Sequence, residues 1–365
     1  MKKISLLVII IFVVFNLLSN KMMAQSGWFW QNPLPQVQTL NDVQLIDENT
    51  AIAVGEAGTI IKTTDGGTSW VSLTGAGSDR LNSDYFIDSN TGWIVGNNGK
   101  IFKTTNGGTN WSTQISGVTD PLYSVYFINS STGWISGEDN TILKTTNGGT
   151  NWIFLQGVFP KSVESIYFTD ENNGCAAGID YNGSNYFGVI IKTTDGGTNW
   201  TNQWSGNWLL SIHFTDSNNG WAAGAGIILK TTDGGVNWSP QITGTSYQLY
   251  SIHFSDYNFG WASGYDGSTS SGIILNTLDG GINWNPTTVG ADTVLYSVQF
   301  ADLNNGWAVG DNGAILHTTN GGVSFVEEER IDEVPTEFLL SQNYPNHLIQ
   351  ALKSVGSRQL AVGKL

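Results

Sequence analysis

A nine-residue phrase recurs seven times along the chain, and this recurrence limits the possible folds more than any other feature of the sequence. The phrase reads KTTNGGTNW in its commonest form, and its copies occupy residues 62–70, 103–111, 144–152, 192–200, 230–238, 276–284 and 317–325. Successive copies lie 38 to 48 residues apart. Repeats of about this length are typical of proteins whose small units bury their apolar faces against one another.

Each repeat also contains short segments in which apolar and polar residues alternate between turn residues. In the third repeat these segments are LYSVYF at 122–127, GWISG at 133–137 and ILKTT at 142–146, followed by the segment after the Trp of the phrase. Four short strands in about 40 residues are typical of a propeller blade. The sequence therefore predicts a single all-β, seven-bladed propeller with four-stranded antiparallel blades, spanning residues 25–326. Helical repeats are disfavoured by the 45 glycines.

The segment before the first repeat resembles an isolated fourth strand. Residues 28–31 (WFWQ) match the start of the fourth strand in the second repeat, WSTQ at 111–114. We expect this N-terminal strand to close the last blade and to cover an open sheet edge. Phe325 and Val326 offer an alternative, since they could supply the fourth strand of that blade themselves.

The phrase has the composition of a tight turn, since Asp or Asn accepts backbone hydrogen bonds and Gly adopts positive φ. Residues 63–70 (TTDGGTSW) resemble the Asp-box, or bacterial neuraminidase repeat, and the Gly-Trp pairs ahead of it resemble propellers of the photosystem II assembly and stability factor type over residues 27–326. In Asp-box propellers the box lies between the third and fourth strands, on the face away from the ligand. The resemblance therefore implies structural roles for Asp65, Asn106, Asn147, Asp195, Asp233, Asp279 and Asn320.

Catalysis is not supported by any set of residues in the sequence. Sialidases, which share the Asp-box, grip their substrate with three arginines, and this chain has only Arg80, Arg330 and Arg358, two of them after the last repeat. Asn at three box positions cannot act as a general acid. Another glycoside hydrolase, or a carbohydrate-binding module, remains open because two carboxylates are sufficient for glycosidase chemistry. We leave the question of enzyme activity open and favour a non-catalytic protein.

The best candidates for binding lie outside the repeated positions, on the upper face, where the loops between second and third strands and the connections between blades meet. They are carboxylates and aromatic residues, a combination that suits peptides, sugars or cationic groups: Glu56, Glu138, Asp180, Tyr181, Trp208, Tyr247, Asp266 and Asp311. Long loops are expected at 180–188 and 265–272. The alternative is that these residues are solvated loop residues or pack between blades.

Metal and thiol chemistry have little support in the sequence, and no cofactor is expected. Cys175 occupies the position at which five other repeats have Trp, so we expect a small core residue and no disulfide. His213 and His253 share a repeat position that holds Gln or Tyr elsewhere, which favours packing over metal ligation. The net charge of −15 disfavours binding to nucleic acid.

The two ends of the chain carry targeting features. Residues 1–24 begin with the lysines at positions 2 and 3, continue in an apolar run and end at Ala24, as a signal peptide does, and a membrane anchor is the alternative. No later stretch is apolar enough to span a bilayer. Residues 327–365 begin with an acidic run, and residues 333–346 resemble the opening of a type IX secretion sorting domain, from which the chain departs at His347. We expect an acidic linker and a truncated or frameshifted sorting tail.

Together these features predict an exported, non-catalytic binding or assembly scaffold whose upper face binds a protein or glycan. The sequence predicts secretion or display at the cell surface if the tail is functional, and otherwise a periplasmic location.

Overall fold

Short β-strands form nearly all the regular structure of the chain. The computed structural model describes residues 27–31, 36–157, 159–243 and 247–323. Within these ranges there are 28 strands and two short 3-10 turns, Glu56–Gly58 and Asp311–Gly313. The predicted signal peptide, the predicted tail and the pair Phe325 and Val326 lie outside the described residues.

The strands are numbered in chain order. The N-terminal strand and the first three blades comprise β1 (Phe29–Trp30), β2 (Leu40–Leu45), β3 (Ala51–Gly55), β4 (Ile60–Thr63), β5 (Val71–Leu73), β6 (Leu81–Phe86), β7 (Gly92–Gly96), β8 (Lys100–Thr104), β9 (Ser112–Gln114), β10 (Leu122–Phe127), β11 (Gly133–Gly137), β12 (Ile142–Thr145) and β13 (Ile153–Phe154). The other four blades comprise β14 (Ser162–Phe168), β15 (Gly174–Tyr181), β16 (Tyr186–Thr193), β17 (Thr201–Gly206), β18 (Leu209–Phe214), β19 (Gly220–Gly224), β20 (Ile227–Thr231), β21 (Ser239–Gln241), β22 (Gln248–Phe254), β23 (Gly260–Asp266), β24 (Ser271–Thr277), β25 (Asn285–Ala291), β26 (Leu295–Phe300), β27 (Asn305–Gly310) and β28 (Ile315–Thr319).

These strands form seven antiparallel sheets of four strands each, so the predicted seven-bladed propeller is confirmed. Six blades use four consecutive strands, and the first strand of each blade contacts the first strands of its neighbours around a central channel. The seventh sheet has the order β1-β28-β27-β26. Within the described ranges, no helical segment has the length and apolar character needed to span a membrane.

The N-terminal strand closes the ring, as the sequence predicts. Phe29 pairs with His317 and Trp30 with Leu316, and the Gln31 amide donates to the Ile315 carbonyl at 2.9 Å. Trp28 is 2% exposed and meets Phe300 edge-on, with ring centroids 5.7 Å apart. This contact reproduces that of Trp152 with Phe127 in blade three, at 5.8 Å. The N-terminus thus supplies both the fourth strand and the tryptophan that precedes it.

Contacts between blades repeat around the ring and explain the Gly-Trp pair and the Lys of the phrase. The second-strand Trp134 stacks on Phe168 of the next blade, with ring centroids 3.6 Å apart. Its indole N–H and the Nζ of Lys144 both donate to the Gly196 carbonyl in the next blade's box, at 3.1 and 2.9 Å. Among the described residues, such a stack joins blade two to three, three to four, five to six and six to seven. A hydrogen bond from the Lys or the Trp to the next blade's turn recurs at six of the seven interfaces.

The box turns are organised by a buried threonine together with the Asp or Asn. In blade three, Thr145 is fully buried; its Oγ1 donates to Asn147 Oδ1 at 3.0 Å and accepts the Gly149 amide at 2.9 Å. Asn147 Oδ1 also accepts the Asn151 amide at 2.9 Å. Gly148 and Gly149 have φ of +67° and +84°, which side chains disfavour. The equivalent carboxylate of Asp233 has a pKa of about 2, held there chiefly by the Asn237 amide.

Two segments that the sequence predicts as long loops are extended hairpins. In blade four the pairing of β15 with β16 continues to Tyr181 and Tyr186, and in blade six β23 and β24 pair up to Asp266 and Ser271. The prediction of loops at 180–188 and 265–272 is therefore wrong, because backbone ladder bonds continue through most of each segment. Only the tips, 182–185 and 267–270, are turns.

Candidate functional site

The central channel is lined by the first strand of every blade, and residues at equivalent positions form rings. The uppermost ring forms the rim at the upper face and contains Asn41, Asn82, Tyr123, Glu164, Leu210, Tyr250 and Tyr296. Beneath it lies a ring of small polar residues, Asp42, Ser83, Ser124, Ser165, Ser211, Ser251 and Ser297. These two rings line most of a cavity of about 500 Å³ that also includes Arg80, Asn97 and Pro121. We call this cavity the cup.

Serines of the second ring join neighbouring blades. The Ser165 hydroxyl accepts the Ile212 amide of the next blade at 3.2 Å, and Ser211 accepts the Ile252 amide at 3.1 Å. Asp42 takes the place of serine in blade one and accepts the Asp84 amide at 3.1 Å and the Ser297 hydroxyl at 2.8 Å. Burial raises the pKa of Asp42, against the lowering effect of these hydrogen bonds. Asp42 is the only carboxylate in this ring.

Asp84 breaks a second repeated pattern. Its position holds an aliphatic residue in every other blade, namely Val43, Val125, Ile166, Ile212, Ile252 and Val298. Asp84 is 5% exposed, and neither of its carboxyl oxygens has a hydrogen-bond partner among the described residues. Burial and, second, the charge of Asp42 raise the pKa of Asp84 well above its usual range. Sequence reasoning missed both carboxyls, although a comparison of the seven first strands would have shown them.

A third ring, of larger polar residues, lies below the serine ring and narrows the channel. It contains Gln44, Tyr85, Tyr126, Tyr167, His213, His253 and Gln299, which line a cavity of about 360 Å³ together with Asp42 and Asp84. Ring centroids of Tyr126 and Tyr167 lie 4.5 Å apart, and those of His213 and His253 lie 4.8 Å apart. Burial lowers the pKa of His213 to about 4. The described residues contain no group of three or more potential metal ligands.

The rim of the cup carries more carboxylates than cations. The Tyr123 hydroxyl donates to Glu138 at 3.2 Å, and Glu164, whose pKa is raised by burial, accepts the Ser162 hydroxyl. Asp311 hydrogen-bonds Tyr296 and raises its pKa, with burial the larger cause, to about 12. Several of the predicted residues therefore meet at or near this cavity.

One arginine lies at the rim and is already engaged. Arg80 makes an ion pair with Glu56 at 3.2 Å and donates to the side-chain oxygens of Asn82 and Asn41 at 2.9 and 3.0 Å. Amide and carboxylate oxygens of the rim thus surround a guanidinium group. Among the described residues that line the cup, Arg80 is the only cation.

A second group of predicted residues, Asp180, Tyr181 and Trp208, lies on blade four and in the connection that follows it, together with Tyr186, which is not among the predicted site residues. Tyr181 and Tyr186 face each other across the hairpin tip with ring centroids 4.8 Å apart, and they are 46% and 55% exposed. Trp208, 44% exposed, follows in the connection to blade five, where its backbone approaches Gly188 closely. Asp180 accepts the Lys161 amide at 3.2 Å beside this patch. We call Tyr181, Tyr186 and Trp208 the aromatic patch.

Two predicted site residues contribute to the local structure of the blades, one by packing and one by forming a turn. Tyr247 is 9% exposed and packs in the core between blades five and six with Trp221 and Leu249. Asp266 accepts the Ser268 amide and the Ser268 and Thr269 hydroxyls, which forms the hairpin tip of blade six. Neither residue lines the cup.

The closed ring of seven blades and the cup together define the chain as a seven-bladed β-propeller with a polar cavity at one mouth of its channel. The family model described as "Photosynthesis system II assembly factor YCF48" matches residues 77–208, a little over a third of the chain. The resemblance to this type of propeller, predicted from the repeat, is confirmed. No curated protein matches the chain.

Solved structures with the same fold include two of that assembly factor. A structure described as YCF48 bound to a D1 peptide has a TM-score of 0.65 and 22% identity, and the match covers 80% of this chain and 97% of that one. YCF48 from Cyanidioschyzon merolae has a TM-score of 0.64 and 20% identity, with 80% and 98% covered. The WD40 propeller domain of Doa1 has a TM-score of 0.65 and 15% identity, with 80% and 96% covered. These likenesses establish the fold.

Proposed function

We propose that this chain is a non-catalytic scaffold that binds a segment of a protein partner on its upper face. The observation that carries this proposal is the arrangement of that face, which combines a polar cup at the channel mouth with the exposed aromatic patch on blade four. Exposed aromatic residues beside a concave polar site are typical of peptide-binding surfaces. The bound D1 peptide in a YCF48 structure supports the same use of a propeller of this type.

Catalysis is a weaker explanation of the carboxyl groups in the channel. Asp42 and Asp84 lie on adjacent first strands, with the Asp84 amide donating to Asp42, so the two carboxyl groups share one side of the channel and cannot flank a glycosidic bond. A general acid must lie within hydrogen-bond reach of the atom that it protonates. Binding without chemical change therefore fits the geometry better.

The test is selection of peptides on the purified full chain, followed by affinity measurements on matched variants. A phage-displayed random peptide library should yield binders whose affinity falls about tenfold or more with Trp208→Ala, because exposed tryptophans are often the dominant residues of such interfaces. Leu303→Ala is the matched control, since Leu303 is 43% exposed in a turn on the opposite face. Its affinities should equal those of the unaltered chain.

Two outcomes would contradict the proposal. Selected peptides that bind Trp208→Ala as tightly as the unaltered chain would remove the upper face as the binding surface. An absence of peptide binders, together with binding on a glycan array, would favour the alternative of a carbohydrate-binding module.

A further inference from the structure

The carboxyl group of Asp84 has no explanation in the packing of the propeller. Its side chain is 5% exposed, both oxygens lack hydrogen-bond partners among the described residues, and the other six blades fill this position with Val or Ile. Burial of a carboxyl without a partner costs free energy that an aliphatic residue would not cost. Residues that destabilise a fold in this way are concentrated at functional sites. A positively charged ligand would supply the partner that the Asp84 carboxyl group lacks.

Asp42 connects this buried carboxyl to the cup. Asp42 lines both the cup and the cavity beneath it, and Asp84 lines the lower cavity. The two side chains are close enough for the charge of Asp42 to act on Asp84, and the Asp84 amide donates to Asp42. Two adjacent carboxyl groups repel each other when both are ionised, and a cation between them relieves this repulsion.

The walls of the cup suit the stem of a long side chain. Tyr123, Tyr250, Tyr296 and Leu210 present rings and an aliphatic group at the rim, and the serine hydroxyls below present small acceptors. A cavity of about 500 Å³ accommodates one or two amino-acid side chains and not a folded element. Long cationic side chains bury an apolar stem and place the charge at its end. The cup therefore has rings and an aliphatic group over part of its rim, and acceptors at its base.

On this basis, and resting on the proposed binding of a protein segment at the upper face, we propose that the cup receives a lysine side chain of the partner, whose ammonium group is held by the carboxyl groups of Asp42 and Asp84. The oxygens at the base belong to separate side chains placed around an axis. An ammonium group, with three donors radiating from one atom, matches such a set. A planar guanidinium group needs paired oxygens in one plane, as Arg80 finds at the rim.

The experiment uses Nα-acetyl-lysine methylamide as the probe and isothermal titration calorimetry on the purified full chain. The matched probes are the arginine and norleucine analogues, which alter the head group or remove the charge. Asp84→Val and Asp42→Ser install the residues of the sister blades, so both variants should fold. Each should weaken binding of the lysine probe about tenfold or more, because one carboxyl of the pair is lost. Glu171→Gln, which removes an exposed carboxylate from the opposite face, should leave the affinity unchanged.

Several results would overturn the inference. Equal affinity for the norleucine probe would show that charge is not recognised, and tighter binding of the arginine probe would show that the head group is guanidinium. Loss of lysine-probe binding in Arg80→Gln with no effect of Asp84→Val would show that the probe binds at the rim around Arg80 and not at the pair of carboxyl groups. If peptides selected on the upper face still depend on Trp208 but the lysine probe does not bind, the cup inference fails and the proposed function stands.

Discussion

At the scale of single residues, Asp84 is the position where a substitution should most clearly separate stability from function. We expect Asp84→Val to raise the free energy of unfolding at pH 7 by about 1–4 kcal/mol, because an aliphatic side chain replaces a buried carboxyl that lacks a partner. Chemical denaturation of both proteins measures this difference. Val125→Asp, at the same position in blade three, is the reciprocal control and should destabilise the chain.

The pH dependence of this difference follows from the direction of the pKa shift. The pKa of Asp84 is raised in the folded protein, so the stability that Asp84 retains at low pH is lost as pH rises from about 4 through the folded value. The difference in the free energy of unfolding between Asp84→Val and the unaltered chain should therefore be largest at neutral pH and should become smaller toward pH 4. Burial raises the pKa of Asp42 as well, so its titration broadens the pH range over which stability changes. A difference that grows on acidification would contradict the assignment.

Residue-level prediction from the sequence was good where the repeat supplied a comparison. The positions of the box residues, of Cys175 in the core and of Trp28 before a fourth strand all followed from aligned repeats. Tyr247 shows the limit, because it lies in a connection between blades, where the repeat has no fixed pattern. Its burial depends on how blades five and six meet, which local sequence does not specify.

At the scale of the blade, the fourth unit has a small side chain where five of its sisters have tryptophan. Cys175 replaces the second-strand tryptophan, and a cavity of about 210 Å³ lies beside it, lined also by Lys192, Phe214 and Gly234. Its Sγ lies 3.9 Å from the Gly234 carbonyl, the acceptor that a sister indole would reach directly. Burial raises the pKa of the thiol to about 12. The interface between blades four and five therefore contains a cavity beside the small thiol side chain.

We expect Cys175→Trp to fill this cavity and to raise the free energy of unfolding by about 1–3 kcal/mol, through stacking on Phe214 and a hydrogen bond to Gly234. Thermal unfolding followed by circular dichroism measures the change. Cys175→Ala enlarges the cavity and should lower the melting temperature. A lower melting temperature for Cys175→Trp as well would show that the next blade's turn does not admit the indole there.

The extended hairpins of blades four and six show which information the prediction of strands from the sequence lacked. Residues 182–185 and 267–270 are rich in Gly, Ser and Asn, and such residues occur both in long loops and at hairpin tips. The choice between the two depends on whether the flanking residues continue the backbone ladder. In blade four they do, and the ladder places Tyr181 and Tyr186 side by side at the tip. The aromatic patch thus depends on a feature that the repeat pattern does not encode.

At the scale of the whole molecule, the ring is a chain of similar interfaces that must close on itself. Six blades take their fourth strand from the residues after their own box, whereas blade seven takes it from the N-terminus. The first strands meet around the channel, so the geometry of the cup depends on all seven blades remaining in register. Asp42 shows this dependence directly, because it bonds Ser297 of blade seven and the Asp84 amide of blade two. Closure of the ring and shape of the cup are therefore coupled.

This coupling predicts that loss of the N-terminal strand destabilises the fold and weakens the cup together. Trp28→Ala should cost about 3–5 kcal/mol, because it removes a buried aromatic side chain that packs on Phe300. Deletion of residues 25–31 should lower the melting temperature further, since it also exposes the edge of β28. Phe29→Ala, at a neighbouring side chain that is 42% exposed, is the control and should have little effect.

Calorimetric scans compare the melting temperatures of these variants. Titration with the lysine probe, at a temperature where the shortened chain remains folded, measures whether the cup still binds. An unchanged melting temperature after deletion would mean that another segment closes blade seven, and unchanged probe affinity would mean that the cup keeps its shape without closure.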